Sequence, residues 1–308
     1  MFPSFTRTYH NRPYPSISPH RSELSAAGKV VLITGSGSGI GQATAITFAQ
    51  AGASVIIVSG RRLGPLEETK RKINALGQAT QVIVCQLDIC DERNVTEVFG
   101  SVRQTIGEID VVINGAGYLA EPGNIKDIDL NTFWNSFEVH VKGSFNIARA
   151  FLNHTTPSIS RPKVLILLSS GNALLPAPQI VESRLSPASY GISKLAEAKL
   201  AEYISAENPS HFRAYALQPG IVETGMSSKS IEMTADPEGI RKSLTWDEPE
   251  LSAGFMLWLS SRIGECVPSG RFLFANWDVD ELEETAGVLE KDANLLTMGC
   301  VGWPFDQK

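Results

Sequence analysis

A short apolar, β-branched run at residues 30–34 passes without a break into Thr34-Gly35-Ser36-Gly37-Ser38-Gly39-Ile40-Gly41, and a longer segment of helical character follows. No other stretch restricts the fold as strongly, because a strand that turns through glycines into a helix is the opening half of a βαβ unit. Gly35 permits a tight turn out of the strand, whereas Gly39 and Gly41 let backbone and helix approach closely. The start of the helix then presents unpaired N–H groups and the positive end of its dipole, a combination suited to a pyrophosphate. Three residues lie between Gly35 and Gly39 and one between Gly39 and Gly41, which differs from the G-x-G-x-x-G spacing.

The rest of the chain continues the pattern. Apolar strand-like runs are expected at residues 30–34, 54–59, 80–87, 110–114, 163–169, 212–218 and 270–274. Amphipathic helices fall between them at 39–50, 66–76, 92–106, 131–151, 189–206 and 250–260. This alternation predicts a single α/β domain over residues 29–282, a doubly wound parallel sheet of seven strands flanked by helices, and 308 residues suffice for one large core. Residues 1–28 carry two of the five histidines and four prolines, with no acidic residue before Glu23. That composition resembles a transit peptide but lacks an amphipathic helix, so a strap over the surface or a flexible tail is expected. The polar stretch 225–248 reads as an insertion or lid, and residues 283–308 as an extension that covers the pocket or a subunit contact.

With 33 acidic against 27 basic residues the net charge is −6, and no Lys/Arg-rich run suggests a nucleic-acid partner. Cys85, Cys90, Cys266 and Cys300 form no Cys-x-x-Cys pair, which favours a reduced, cytoplasmic protein without a metal. No apolar run reaches the length of a membrane span.

Chemistry enters at Tyr190-Gly191-Ile192-Ser193-Lys194. Residues four apart share a helix face, so the ammonium of Lys194 can sit near the Tyr190 phenol and favour its phenolate. A phenol so placed can exchange a proton near neutral pH.

These motifs, in this order, resemble the short-chain dehydrogenase/reductase family from about residue 28 to 282, and within it a branch of filamentous fungi. The TGxxxGxG signature is Thr34 to Gly41. The Asn-Asn-Ala-Gly element appears as Asn114-Gly115-Ala116-Gly117 with its second asparagine replaced, the adenine-contacting Asp as Asp88, and the Pro-Gly segment as Pro219-Gly220, followed by Val222 and Thr224. The resemblance implies hydride transfer between a nicotinamide and a carbonyl carbon. Tyr190 would exchange the proton, Lys194 would hold the ribose, and Ser170 would bond the substrate oxygen, with Ser169 the alternative. Cofactor contacts would come from Gly35, Ser36, Gly39, Ile40, Gly41, Asp88, Asn114, Tyr190, Lys194, Val222 and Thr224. It further implies a homodimer or homotetramer.

Two features depart from the family. Ser170 and Tyr190 are 20 positions apart, a long spacing, and Pro176, Pro178 and Pro187 stiffen the intervening loop, which is expected to wall the substrate pocket. The family's helix asparagine is replaced by His140, which would take over its relay, give it a pH dependence, break it, or act as a buried histidine bonded to backbone. At the end of the second strand, Arg61 and Arg62 stand where an acidic residue would select NAD(H), so NADP(H) is favoured over NAD(H). Ala173, Leu174, Leu175, Pro176, Ile180, Met226, Met233 and Trp246 point to an apolar small-molecule substrate, a ketone or secondary alcohol such as a secondary metabolite. The alternatives are a cofactor-binding sensor or scaffold, or an epimerase or dehydratase.

Overall fold

The computed structural model describes residues 4–300 apart from 122, 160–161, 184–185 and 235. Seven strands form one parallel sheet: β1 (Val30–Thr34), β2 (Val55–Gly60), β3 (Gln81–Gln86), β4 (Val111–Asn114), β5 (Lys163–Leu168), β6 (Phe212–Gln218) and β7 (Phe272–Phe274). Their order is β3-β2-β1-β4-β5-β6-β7, so the chain reverses direction across the sheet between β1 and β4. Such a reversal leaves a crevice at the carboxyl ends of the central strands. The register pairs Thr34 with both Ser59 and Asn114, which places those ends level. Every residue of β4 and β5 is buried, as expected for parallel strands covered on both faces.

The helices are α1 (Gly39–Gln50), α2 (Leu63–Asn74), α3 (Glu92–Thr105), α4 (Leu130–Phe137), α5 (Ser144–Asn153), α6 (Ala177–Ser183), α7 (Ala188–Glu207), α8 (Gly225–Glu232), α9 (Pro237–Ser243), α10 (Pro249–Leu259), α11 (Val279–Glu284) and α12 (Ala286–Lys291). Helix α10 is apolar around most of its circumference and buried from Leu251 to Leu259, because it packs on α1 and beneath the N-terminal segment. Its Gly254 is obligatory there, since a Cβ would lie 2.8 Å from the Ile17 carbonyl oxygen. The single helix expected over 131–151 is instead interrupted by a π-helical turn, Glu138–Gly143, that joins α4 to α5. One extra residue per turn in such a bulge re-aims a side chain. Here that turn carries His140.

The N-terminal segment lies along the domain. His10 Nε2 meets Asp278 at 2.7 Å, the Tyr14 hydroxyl donates to the Trp277 carbonyl at 3.1 Å, and the backbone N–H of Arg7 donates to Glu281 at 2.7 Å. Ile17 and Leu24 are buried in the core. Asp247 is a junction for three parts of the chain. It accepts from Asn11 Nδ2 at 2.6 Å, Asn276 Nδ2 at 2.9 Å and the Ile221 N–H at 2.6 Å. The stretch expected to be a lid forms α8 and α9, joined by Arg241 to Glu232 at 2.6 Å. The C-terminal segment does not cover the crevice among the described residues; the Leu296 carbonyl accepts the outward N–H of Phe272 at 2.8 Å and so closes the β7 edge of the sheet. Residues 301–308 and 1–3 lie outside the described residues.

Candidate active site and cofactor groove

A cavity of about 690 Å³ opens at the carboxyl ends of the central strands. Its floor is bare backbone. At Gly35, with φ +69°, a Cβ would lie 2.7 Å from the Gly115 carbonyl oxygen; at Gly39, with φ +52°, it would lie 2.9 Å from Thr224 Cγ2. Gly41 must also lack a side chain, because its Cβ would lie 2.5 Å from the Gly35 carbonyl oxygen. Gly37, not among the expected contacts, belongs to the same cradle: its Cβ would lie 2.9 Å from Pro65 Cβ. These glycines let an extended anionic ligand approach the α1 N-terminus, so the residues present fit a dinucleotide.

Of the expected residues, Gly35, Gly39, Ile40, Gly41, Asp88, Thr224, Tyr190 and Lys194 line the cavity. Arg61 and Arg62 also line it and are exposed, with no ion pair formed by either among the described residues. Thr224 is held by a capping box at the start of α8, its N–H donating to Ser227 Oγ at 2.8 Å.

Ser36, Asn114 and Val222 are placed differently from expectation. Ser36 is buried and its Oγ accepts the Ser59 N–H at 2.8 Å, pinning the glycine turn to β2 rather than facing the cavity. The Asn114 side chain points into the interior, accepting from Thr34 Oγ1 at 2.7 Å and donating to Ser144 Oγ at 2.8 Å. Val222 is buried beside Asp247, and its carbonyl accepts from Ser227 Oγ at 3.0 Å. All three hold the wall from behind.

The two candidate serines are both engaged locally. Ser169 Oγ donates to the Lys194 carbonyl at 2.9 Å, and Ser170 Oγ accepts the Asn172 N–H at 3.2 Å, capping the turn Gly171–Ala173. Ser170 is half-buried and stands at the strand end but does not line the cavity. Among the described residues, the long loop 171–189 does not wall it either. Of the apolar residues expected there, only Met226 lines it, whereas Leu174 is exposed and Trp246 Nε1 donates to the Arg241 carbonyl at 3.2 Å. Residues 184–185 of that loop lie outside the described residues.

His140 is wholly buried. Its Nε2 accepts the Tyr118 N–H at 3.0 Å, which fixes the proton on Nδ1. Nδ1 then donates to Ser193 Oγ at 2.8 Å, and Ser193 Oγ donates to the Tyr190 carbonyl at 3.0 Å. The imidazole also meets the Tyr190 ring edge-on with centroids 5.3 Å apart. Burial first and the Lys194 charge second push its pKa down to about 2. His140 is therefore neutral at working pH, which favours, of the alternatives above, a buried histidine bonded to backbone over one that gives a relay its pH dependence. As a neutral ring it links two residues of the cavity wall, Tyr118 and Tyr190.

Lys194 Nζ donates to the Leu168 carbonyl at 2.6 Å and to Glu197 Oε2 at 2.7 Å, and lies 6.0 Å from the centre of the Tyr190 ring. Sequence reasoning missed Glu197, although its position three residues beyond Lys194 puts it on the same helix face. Ser193, Ser144 and Tyr118 carried no signal of their own, since their roles depend on which elements pack together.

The sheet order, the crevice and its glycine cradle define a doubly wound α/β protein with a nucleotide groove. Comparison with known proteins narrows this class. The family described as short chain dehydrogenase matches residues 29–235. The short chain dehydrogenase mpl6 of Monascus purpureus is 31% identical over 280 residues, covering 89% of this chain and 88% of the relative. The short chain dehydrogenase/reductase AacuD of Aspergillus aculeatus is 29% identical over 297 residues, 96% of each chain. The RhlG/NADP active-site complex of Pseudomonas aeruginosa superposes with a TM-score of 0.72 at 20% identity, covering 82% of this chain and 97% of that one. The chain belongs to the short-chain dehydrogenase/reductase family of oxidoreductases, with fungal relatives. Among the described residues no helix is long and apolar enough to cross a membrane, and no cluster of side chains could hold a metal ion.

Proposed function

We propose that the protein is an NADP(H)-dependent oxidoreductase that interconverts a ketone and a secondary alcohol on an apolar substrate, with Tyr190 as the proton-exchanging group. The observation that carries this reading is one continuous cavity that brings the glycine cradle, Arg61, Arg62 and Asp88 together with Tyr190 and Lys194. The bound cofactor supplies or accepts the hydride. Arg61 and Arg62 are the groups on this wall suited to a 2'-phosphate, which a planar guanidinium meets with paired hydrogen bonds. The RhlG structure, solved with NADP, supports the same preference.

Tyr190 gives its phenolic proton to the carbonyl oxygen in reduction and recovers it in oxidation. Lys194, with two of its three N–H donors committed inside the protein, directs the remaining one to the cavity side. The donor to charge developing on the substrate oxygen is one of the two strand-end serines: Ser170, whose hydroxyl proton is free because its oxygen accepts from Asn172, or Ser169, which lines the cavity. His140 holds Tyr118 and, through Ser193, the Tyr190 backbone. The exposed apolar residues Leu130 and Trp134 on α4, Phe145 on α5, and Ile192, Leu195 and Tyr203 on α7 support a homodimer formed through these helices.

NADPH oxidation measured against a panel of bulky ketones tests the reading. Tyr190→Phe should bind NADPH as the wild type does and lose about 10²–10⁴-fold in turnover, the usual worth of a positioned proton donor. Equal turnover in the variant refutes the role.

A further inference from the structure

Lys194 is not an isolated cation. Glu197 has no exposed surface, and its carboxylate is partnered at both oxygens, Oε2 by Lys194 Nζ at 2.7 Å and Oε1 by Ser144 Oγ at 2.6 Å. Ser144 Oγ accepts from Asn114 Nδ2 at 2.8 Å, and Asn114 Oδ1 accepts from Thr34 Oγ1 at 2.7 Å. Side chains from α5, β4 and β1 thus hold the carboxylate in one place. Of the groups packed against it, Lys194 on its own helix is the charged one; Ser144, Asn114 and Thr34 are neutral. Fully burying a carboxylate is costly, so its presence here beside the cation of the active site calls for a role.

We infer that Glu197 is a positioning residue that aims the Lys194 ammonium and offsets part of its charge, so that Tyr190 keeps its proton and is set up as the donor for carbonyl reduction. The inference rests on the oxidoreductase reading above and adds a preferred direction to it. An unpaired ammonium draws the proton off a neighbouring phenol; a carboxylate 2.7 Å behind that ammonium cancels part of the pull. The other groups that face Tyr190 are consistent with this control residing in the Lys194–Glu197 pair. His140, edge-on to its ring, is neutral, and the remaining charged residues of the cavity wall are Arg61, Arg62, Asp88 and Glu138.

The test reads the phenol directly and needs no substrate. Tyrosinate absorbance is followed against pH for the wild type and Glu197→Gln, each with and without NADP⁺, and the signal of Tyr190 is isolated by subtracting the same titration with Tyr190→Phe added. Removing one charge from a low-dielectric site beside Lys194 should move the Tyr190 transition down by about one pH unit. The acid limb of kcat/KM for alcohol oxidation should move by the same amount, which a purely structural contribution to stability would not do. If Glu197→Gln does not fold, Glu197→Met, apolar and of similar volume, carries the same expectation. A Tyr190 transition that stays in place or moves up overturns the inference. Absence of turnover on every ketone and alcohol would count against the oxidoreductase reading alone, because the absorbance titration is independent of it.

Discussion

Replacing Asp247 by alanine should loosen the N-terminal strap and lower stability, although Asp247 itself does not line the cavity. The carboxylate is buried and accepts three N–H donors, from Ile221, Asn11 and Asn276, at 2.6, 2.6 and 2.9 Å. Asn276 has no exposed surface, so its amide loses a partner it cannot replace with bulk water, and the Ile221 N–H follows Gly220, whose φ of +96° fixes the turn against Asp247. Each buried donor left without a partner costs about 1–3 kcal/mol. Two such donors, with partial recovery at the more open Asn11, give a loss of roughly 3–5 kcal/mol. At about 2–4 °C per kcal/mol for a chain of this size class, Tm should fall by roughly 6–20 °C. Thermal unfolding and urea titration measure the loss, and limited trypsinolysis at Arg21, whose guanidinium is held by the Ser16 carbonyl, measures release of the strap. Asp247→Asn keeps one acceptor oxygen and should lose less than half as much. An alanine variant within about 1 kcal/mol of wild type, with the strap equally resistant to trypsin, would refute the reasoning that Asp247 joins these three segments.

Other perturbations separate the remaining assignments. Arg61→Ala combined with Arg62→Ala should weaken NADPH binding at least tenfold while changing NADH little, as read by fluorescence titration; an unchanged ratio removes the 2'-phosphate assignment. His140 refuses a proton until about pH 2, whereas the unfolded chain takes one near the usual 6.5, so folding stability falls as pH drops below 6.5. The slope from this group is about 1.4 kcal/mol per pH unit, and His140→Asn should flatten the urea midpoint between pH 6.5 and 5 by that amount. Trp134, 53% exposed on α4, should be buried in a homodimer, and Trp134→Glu should shift sedimentation from dimer to monomer with the far-ultraviolet spectrum unchanged.

The strands were legible because a parallel sheet covered on both faces demands continuous β-branched runs, and β1 and β6 fall where the apolar pattern puts them. The helix over 131–151 was misread for a reason the pattern cannot encode: a π-helical turn keeps the apolar periodicity on either side and inserts its extra residue between them. The glycine cradle was legible because backbone approach leaves only glycine possible. By contrast Ser36 and Asn114, conspicuous in the motif, turn inward, since a polar side chain at a strand end can serve either the groove or the interior, and only the neighbours Ser59, Thr34 and Ser144 decide. The loop 171–189 looked like a pocket wall from its prolines and apolar residues, yet 177–179 stand exposed on α6, a placement that spacing does not reveal. Glu197 was readable in principle, because a carboxylate three residues from a motif lysine on a buried face has few other places to go.

The strap also fixes an order of events during synthesis. Its partners lie at the opposite end of the chain: Arg7 bonds to Glu281 across 274 positions, and His10 to Asp278 across 268. At about 5–20 residues per second, roughly 15–55 s separate the emergence of the first of these residues from the appearance of its partner. For most of that interval α10, which packs against the turn that ends at Ile17, is not yet made either. The strap, made long before its partners, is therefore among the last segments to dock, and its docking reports that the chain has been made at least as far as α11.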